Sequence, residues 1–210
     1  MKYWMTQSLL SSYSYFLSAE DRFAEKAYQS FLSTLRREEK EPTRAMKAGI
    51  QFEADINALV AGGAFESKNE KWDKAVRRFS RICAGGQSQA PASAELICCG
   101  LDLVLYGVCD YIKAGTIYDI KKVTRYEYGK YQNSPQHPMY FHLVPGARRF
   151  DYLIFDGSFC YRETYRPQDC RSIDRIICEF FHGLESLGLI EDYKTFWAMN
   201  QEREEKAHAL

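Results

Sequence analysis

The sequence predicts a single α/β domain with a central mixed β-sheet flanked by helices, an N-terminal helical cap and two C-terminal helices. Helical spacing of apolar residues dominates both ends of the chain, whereas strand-like runs fill its middle. A length of 210 residues suits one well-cored domain. We expect a core at about 45–165, the cap at about 8–44 and the C-terminal helices at about 170–206.

The N-terminal part contains three segments with helical periodicity. The first runs from residue 8 to about 37, and Pro42 separates it from the second. The second segment spans about 43–61 and is closed by Gly62–Gly63. The third, at 69–83, places Trp72, Val76 and Phe79 on one face. These segments predict three helices before the sheet.

The middle of the chain changes to strand-like runs: "SAELICCG", "LDLVLYGVCDYI" and "TIYDIKKV". The short "KAG" between the last two predicts a tight hairpin. Residues 125–144 are aromatic and contain a helix that begins near "SPQ", and a second hairpin turns at Asp156–Gly157. The glycine-rich "AGGQSQ" is not followed by Lys-Ser or Lys-Thr, so it predicts a loop and not a phosphate cradle.

Composition narrows the class of protein. The formal net charge is zero, so any polyanion must be held by local patches. The seven cysteines are an odd number, several lie within apolar runs such as "ELICCG" and "DRIICEFF", and none has CxxC or HxxxC spacing, which predicts reduced, buried thiols and neither a zinc nor an iron–sulfur site. Serines and Gln7 interrupt the first apolar stretch, so we predict no signal peptide, no membrane partner and a soluble cytoplasmic protein.

Two acids interrupt strands that are otherwise suited to a sheet interior. Asp119 and Lys121 lie two residues apart and therefore on the same face of one strand, and Asp110 lies on the preceding strand of the hairpin. A buried carboxylate is costly unless it is paired or binds a metal ion. The three side chains therefore suggest a hydrolytic Mg²⁺ or Mn²⁺ site. The alternative is a solvated strand face with a weak ion pair.

Further features follow the same order along the chain. Glu53 lies on the helix before the sheet and would add a third acid. Gly107, three residues before Asp110, would allow another group to approach the backbone closely. Gln136 and Tyr140 lie one helical turn apart after the sheet.

This ordered set resembles the PD-(D/E)xK nuclease superfamily, specifically its RecB-like and phage-type exonuclease branch. The resemblance covers about residues 45–165 and implies an αβββαβ, restriction-endonuclease-like core. It implies that Glu53, Asp110, Asp119 and Lys121 are catalytic. It further implies that the three carboxylates and the Ile120 carbonyl hold Mg²⁺ or Mn²⁺, and that Gln136 and Tyr140 border the DNA.

Two departures refine the resemblance. Glu53 stands where the RecB branch often has histidine, which is closer to the phage type. Relatives with an iron–sulfur cluster carry a cysteine before the nuclease core, whereas no cysteine precedes residue 83 here. The resemblance therefore implies a metal-dependent deoxyribonuclease without such a cluster, most simply an exonuclease of phage or DNA-repair type.

The helix at 69–83 also carries the basic residues Lys74, Arg78 and Arg81 on one stripe, which predicts either a solvated face or a DNA phosphate track. Two functional alternatives remain open at this point. They are a structure-specific endonuclease and a non-catalytic DNA-binding protein on the same fold. DNA and a divalent metal are the expected partners, and an oligomer is compatible with the sequence.

Overall fold

Six strands form one mixed sheet in the structure, a computed structural model that describes residues 1–199. The strands are β1 (Lys2–Thr6), β2 (Gln87–Cys98), β3 (Leu101–Lys113), β4 (Thr116–Lys122), β5 (Arg149–Phe155) and β6 (Cys160–Tyr165). Seven α-helices flank this sheet within the described residues: α1 (Gln7–Ser18), α2 (Asp21–Leu35), α3 (Arg44–Val60), α4 (Glu70–Cys83), α5 (Gln136–Leu143), α6 (Ile173–Ser186) and α7 (Ile190–Trp197). The predicted fold class is confirmed.

Strand β3 is shared by three neighbours. Strand β2 pairs with it antiparallel along nearly its whole length. On the other side, β1 pairs in parallel with 102–106, and β4 pairs antiparallel with 111–113. Residues 107–110 of β3, which we call the β3 gap, therefore lie between the two ladders without a strand partner on that side.

A two-residue hairpin turn adjoins each end of β3. Cys99–Gly100 connects β2 to β3, and Ala114–Gly115 connects β3 to β4. All four residues have positive φ, from 49° to 74°, as the turn type that fits the twist of a hairpin requires. The predicted hairpin at Ala114–Gly115 is confirmed.

The two faces of the sheet bury separate hydrophobic clusters. Helices α3 and α4 cover one face, where Phe52, Trp72 and Phe79 contact strand residues such as Tyr118 and Phe155. Helices α1, α2, α5, α6 and α7 cover the opposite face and contribute to a larger cluster. Each of α3 and α4 buries one stripe of mainly apolar side chains, and the sequence predicted both helices from this amphipathic pattern.

The N-terminal prediction needs correction. The first five residues after Met1 form β1 in the sheet, and the helix expected at 8–37 is divided into α1 and α2 at Ala19–Glu20. Leu9, Phe31 and Leu35 are fully buried in the larger cluster, so this region is part of the core and not a separate cap. The apolar side chains of β1 and α1 are buried in this cluster, and their burial holds both elements against the sheet.

Three smaller predictions were also wrong. Residues 87–89, expected in a loop, begin β2. Helix α7 ends at Trp197 because Ala198 bridges to Tyr3, and the rest of the predicted helix, 200–206, lies outside the described residues. The cysteines are not uniformly buried: Cys98, Cys99 and Cys178 come together although they are remote in sequence, and Cys99 is exposed.

Among residues 1–199, no helix has both the length and the apolar character that crossing a lipid bilayer requires.

Candidate functional site

The β3 gap ends at Asp110, where the β3–β4 ladder stops. The last pair on that side is Tyr111 with Tyr118, and one further step in the same register would place Asp110 opposite Asp119. At that position the Asp110 carboxylate accepts a hydrogen bond from the backbone N–H of Ile120 over 2.7 Å. Because N–H and C=O of one strand residue point to the same side, the Ile120 carbonyl is also directed toward this gap. Side-chain oxygens thus replace strand pairing here.

Asp119 is the centre of the polar group on β4. The Lys121 ammonium lies 2.7 Å from Asp119 Oδ2, and the Gln136 amide donates a hydrogen bond to Asp119 Oδ1. Asp119 is buried, whereas the Lys121 side chain is 29% exposed. The alternation of side chains along β4 places both on the face that α5 covers, as the spacing predicted.

Glu53 reaches the same region from α3. Its carboxylate accepts a hydrogen bond from the Gln89 amide of β2 over 2.5 Å, and Asn57 stabilises its charge by a side-chain hydrogen bond. Asn57 in turn accepts a hydrogen bond from the Tyr111 hydroxyl. Gln89 adopts a positive φ of 48°, a conformation that non-glycine residues seldom take.

Gln89 and Asn57 were missed as site residues. Asn57 follows Glu53 by one helical turn, and that spacing is a signal that could have found it. Gln89 carries no local signal, because its role depends on the position of β2 beside β3. It lies in the segment that the sequence predicted as a loop.

Burial, followed by mutual repulsion among the acids, dominates the electrostatics of the site. Burial first, and then the charges of Asp119 and Glu53, raise the pKa of Asp110 well above its usual range. Burial and the charge of Asp119 also raise the pKa of Glu53. Burial alone would lower the pKa of Lys121, but the charges of Asp119 and Asp110 outweigh it and raise that pKa. Lys121 is therefore a stable cation at neutral pH.

Tyr140 fills the β3 gap instead of facing solvent. Its hydroxyl donates a hydrogen bond to the Val108 carbonyl over 2.7 Å. A Cβ added at Gly107 would lie 2.9 Å from the Tyr140 hydroxyl oxygen and 3.0 Å from its ring, so only glycine allows this approach. The expected close approach at Gly107 is thus observed, and the group that approaches is the Tyr140 ring.

The position of α5 changes the roles expected for Gln136 and Tyr140. Both side chains are buried, with 6% of each exposed, so neither presents a free surface to a DNA base or phosphate. Gln136 orients the Asp119 carboxylate, and Tyr140 supports the backbone of β3 before Asp110. The geometry gives both residues a positioning role within the protein, and their predicted contact with DNA stays a prediction.

The basic stripe of α4 lies apart from the carboxylates. Lys74, Arg78 and Arg81 are all exposed, and Lys74 forms an ion pair with Glu70 on its own helix over 2.5 Å. None of the contacts described for residues 1–199 joins the stripe to the acids of the site. Its role in DNA binding remains a prediction.

The carboxylates and the Ile120 carbonyl have the ligand chemistry that a hard divalent cation prefers. Among residues 1–199, however, Glu53, Asp110 and Asp119 do not form a group whose ligand oxygens all lie within 4.8 Å of one another, so an ion would have to draw them together. Besides burial, the charge of Asp119 raises the pKa of both Glu53 and Asp110, so the three acids lie in one region of the protein. Within the described residues, no hydrogen bond is assigned to the buried Asp119 Oδ2, whose charge is balanced by the Lys121 ammonium at 2.7 Å. An oxygen without a hydrogen-bond donor, beside two other acids, is suited to coordinate Mg²⁺ or Mn²⁺.

Comparison with known proteins supports the fold alone. Neither a known protein family nor a curated protein matches the sequence. Among solved structures, a chain titled "Crystal structure of SSO0001" is similar with a TM-score of 0.53 and 10% identity. The similarity covers 89% of this chain and 77% of that chain. At this identity the likeness extends to the arrangement of helices and strands and not to chemistry.

Proposed function

We propose that the protein is a divalent-metal-dependent deoxyribonuclease that hydrolyses phosphodiester bonds. The observation that carries the proposal is the meeting of Glu53, Asp110, Asp119 and Lys121 at the end of the β3 gap. Four charged side chains from three separate elements are costly to bring together without a ligand. Their order along the chain also matches the resemblance to PD-(D/E)xK nucleases, which favours an exonuclease.

In this proposal, Glu53, Asp110, Asp119 and the Ile120 carbonyl hold Mg²⁺ or Mn²⁺. The metal supplies Lewis-acid stabilisation of the phosphate and a more acidic water. The Ile120 N–H fixes the Asp110 carboxylate, and Gln136 fixes that of Asp119. These hydrogen bonds orient the individual carboxylates before any substrate binds.

Lys121 acts as a cation and not as a base. Its raised pKa keeps the ammonium protonated at neutral pH, so it cannot remove a proton from water. Its side chain is partly exposed, unlike that of Asp119, and can therefore contact an incoming phosphate oxygen. We assign it the roles of orienting the attacking water and offsetting charge on the phosphate while water adds to phosphorus and the P–O ester bond breaks.

The direct test compares wild type with Asp119→Asn on linear and circular DNA, each with Mg²⁺, with Mn²⁺ and with a chelator. We expect metal-dependent cleavage by wild type and a loss of about 100-fold or more in the variant. Asp102→Asn is the matched control, because Asp102 is an exposed acid on β3. Cleavage of linear but not circular DNA would support an exonuclease.

Melting temperatures measured with and without Mn²⁺ distinguish the proposed nuclease from a non-catalytic DNA-binding protein. Mn²⁺ should raise the melting temperature of wild type and leave that of Asp119→Ala unchanged, since only an intact site gains stability from the ion. Wild type that binds DNA but neither gains stability from Mn²⁺ nor cleaves DNA would contradict the proposal.

A further inference from the structure

Three cysteine sulfurs converge at the end of the sheet opposite the carboxylates. The Sγ atoms of Cys98 and Cys99 each approach that of Cys178, at 3.3 Å and 2.8 Å, and they lie 3.8 Å from each other. Cys98 ends β2, Cys99 lies in the turn to β3, and Cys178 lies on α6. Asp110 is nine residues along β3 from Leu101, a distance of about 30 Å, so this thiol cluster is separate from the proposed nuclease site.

We propose that Cys98, Cys99 and Cys178 form a binding site for a thiophilic metal ion, in the first place Zn²⁺. Three thiolates around one point are typical ligands of Zn²⁺ and Cu⁺, whereas Mg²⁺ and Mn²⁺ prefer oxygen. Zn–S bonds of about 2.3 Å in a tetrahedral arrangement require sulfurs about 3.8 Å apart. One of the three separations already has this value, and the other two need to open by about 1 Å or less.

The turn that carries Cys99 supports the proposal independently. Cys99 has a φ of 51° and Gly100 a φ of 73°, the conformation of a two-residue turn that favours Asn or Gly at its first position. A cysteine gains nothing locally from this strained conformation. It does, however, direct an exposed sulfur toward α6, where Cys178 is half-buried. An exposed ligand also gives an ion a path into the site.

Helix α6 covers one side of the proposed metal site, and the other side is open to solvent. Cys98 donates a hydrogen bond to the Asp174 carbonyl of α6, one turn before Cys178, so this side is covered by the helix. Among residues 1–199, no fourth Cys, His, Asp or Glu atom joins the three sulfurs. The fourth position is therefore open to water or to His182, which is exposed one turn after Cys178 on α6.

The bound ion would connect the β2–β3 hairpin to α6 and release thiol protons as it binds. We expect it to stabilise the fold and to take no part in phosphodiester hydrolysis, because of its distance from Asp110. The inference does not depend on the proposed nuclease activity.

The test uses Co²⁺ as a spectroscopic substitute for Zn²⁺, added to fully reduced, metal-free protein under argon. Thiolate ligands give a sulfur-to-cobalt charge-transfer band, whereas carboxylate ligands do not, so the signal reports on this site alone. We expect the charge-transfer band to saturate at one Co²⁺ per chain and to disappear when one equivalent of Zn²⁺ is added, and we expect Zn²⁺ to raise the melting temperature.

Variants make the result specific. Cys178→Ser and Cys99→Asn should each weaken or abolish the band, whereas Cys170→Ser, at a half-buried cysteine outside the cluster, should retain it. Cys99→Asn is the sharper variant, because Asn suits the turn and should preserve the stability of the metal-free protein. Absence of a band in wild type, or an undiminished band in both Cys178→Ser and Cys99→Asn, would overturn the proposal.

Discussion

The two ends of β3 are built alike and carry opposite chemistry. Each end has a two-residue turn with both residues at positive φ, and each gathers side chains that are remote in sequence. The end near Asp110 gathers carboxylate oxygens, whereas the end near Cys99 gathers sulfurs. Hard oxygens favour Mg²⁺ or Mn²⁺ and soft sulfurs favour Zn²⁺ or Cu⁺, so the donor atoms at the two ends of β3 would favour different metal ions.

The ends also differ in how their ligands are held. At the carboxylate end, Gln136, Gln89 and the Ile120 N–H each donate a hydrogen bond to one acid. At the thiol end, the sulfurs contact mainly one another. Each carboxylate is thus held by a neighbouring donor, but the three do not share one position, whereas the three sulfurs already lie within 4.8 Å of one another before an ion binds.

The largest effect that sharpens this comparison is expected from Lys121→Ala. Loss of the ammonium should reduce DNA cleavage by about 100-fold or more while Mn²⁺ affinity is retained, because Lys121 acts on water and phosphate. Single-turnover kinetics and calorimetry measure the two quantities. Lys122→Ala is the matched control, since Lys122 follows on β4, points to the opposite face and contacts the Val123 carbonyl. If Lys121→Ala loses Mn²⁺ affinity, the role of Lys121 is to hold the carboxylates in place and not to act on water and phosphate.

The next effect concerns the β3 gap. Gly107→Ala should lower the free energy of unfolding by about 1–3 kcal/mol, because the new methyl group would meet the Tyr140 ring at 3.0 Å. Chemical denaturation measures the change. Gly146→Ala is the control, since an added Cβ there would meet nothing within 4 Å. A double-mutant cycle with Tyr140→Leu should show coupling between the two positions, and additive effects would exclude the contact as the cause.

A smaller effect is expected from Asp110→Asn in metal-free protein. The pKa of Asp110 is raised in the folded state, so the folded protein holds a proton that the unfolded chain loses above about pH 4. Wild type should therefore lose stability as pH rises from that value, and the variant should lose less, so that the variant is the more stable protein at pH 7. Melting temperatures between about pH 4 and pH 8 would show this, with Asp102→Asn as the control. Parallel curves for wild type and Asp110→Asn would contradict the assigned repulsion.

The smallest effect tests whether the surface of α4 belongs to the carboxylate end. Replacing Lys74, Arg78 and Arg81 together with Ala should weaken DNA binding and reduce its log–log salt slope by roughly 0.7–0.9 for each phosphate that the variant no longer neutralises. Affinity measured across a salt series gives the slope for wild type and variant. An unchanged slope would show that the stripe is an ordinary solvated face.

The sequence predicted those elements whose structure is determined by residues close together in the chain. Helices α3 and α4 follow from apolar stripes, and the turn at Ala114–Gly115 follows from a glycine between two strand-like runs. Strand β1 and the break at Ala19–Glu20 were missed. A five-residue segment whose three central residues are apolar does not distinguish strand from helix, and neither Gly nor Pro marks the break.

In the candidate site, too, the sequence predicted the features that depend on local geometry and missed those that depend on tertiary packing. Asp119 and Lys121 were predicted to share a face because strand alternation fixes it. By contrast, the burial of Gln136 and Tyr140 depends on how α5 packs against β3 and β4. The meeting of Cys99 with Cys178 joins positions 79 residues apart, which no spacing along the chain can predict.

Strand β1 has a consequence for the order in which the chain folds. Met5 pairs with Leu105, one hundred residues later, and the carbonyl of Trp4 accepts a hydrogen bond from Tyr193. Closing a loop of that length costs about 4 kcal/mol of chain entropy, whereas the β2–β3 hairpin closes across two residues. Such long-range pairing slows folding. In pulse-labelled hydrogen exchange, the amides of β1 should therefore gain protection after those of β2 and β3, and the β3 gap should acquire its second border only at that late step.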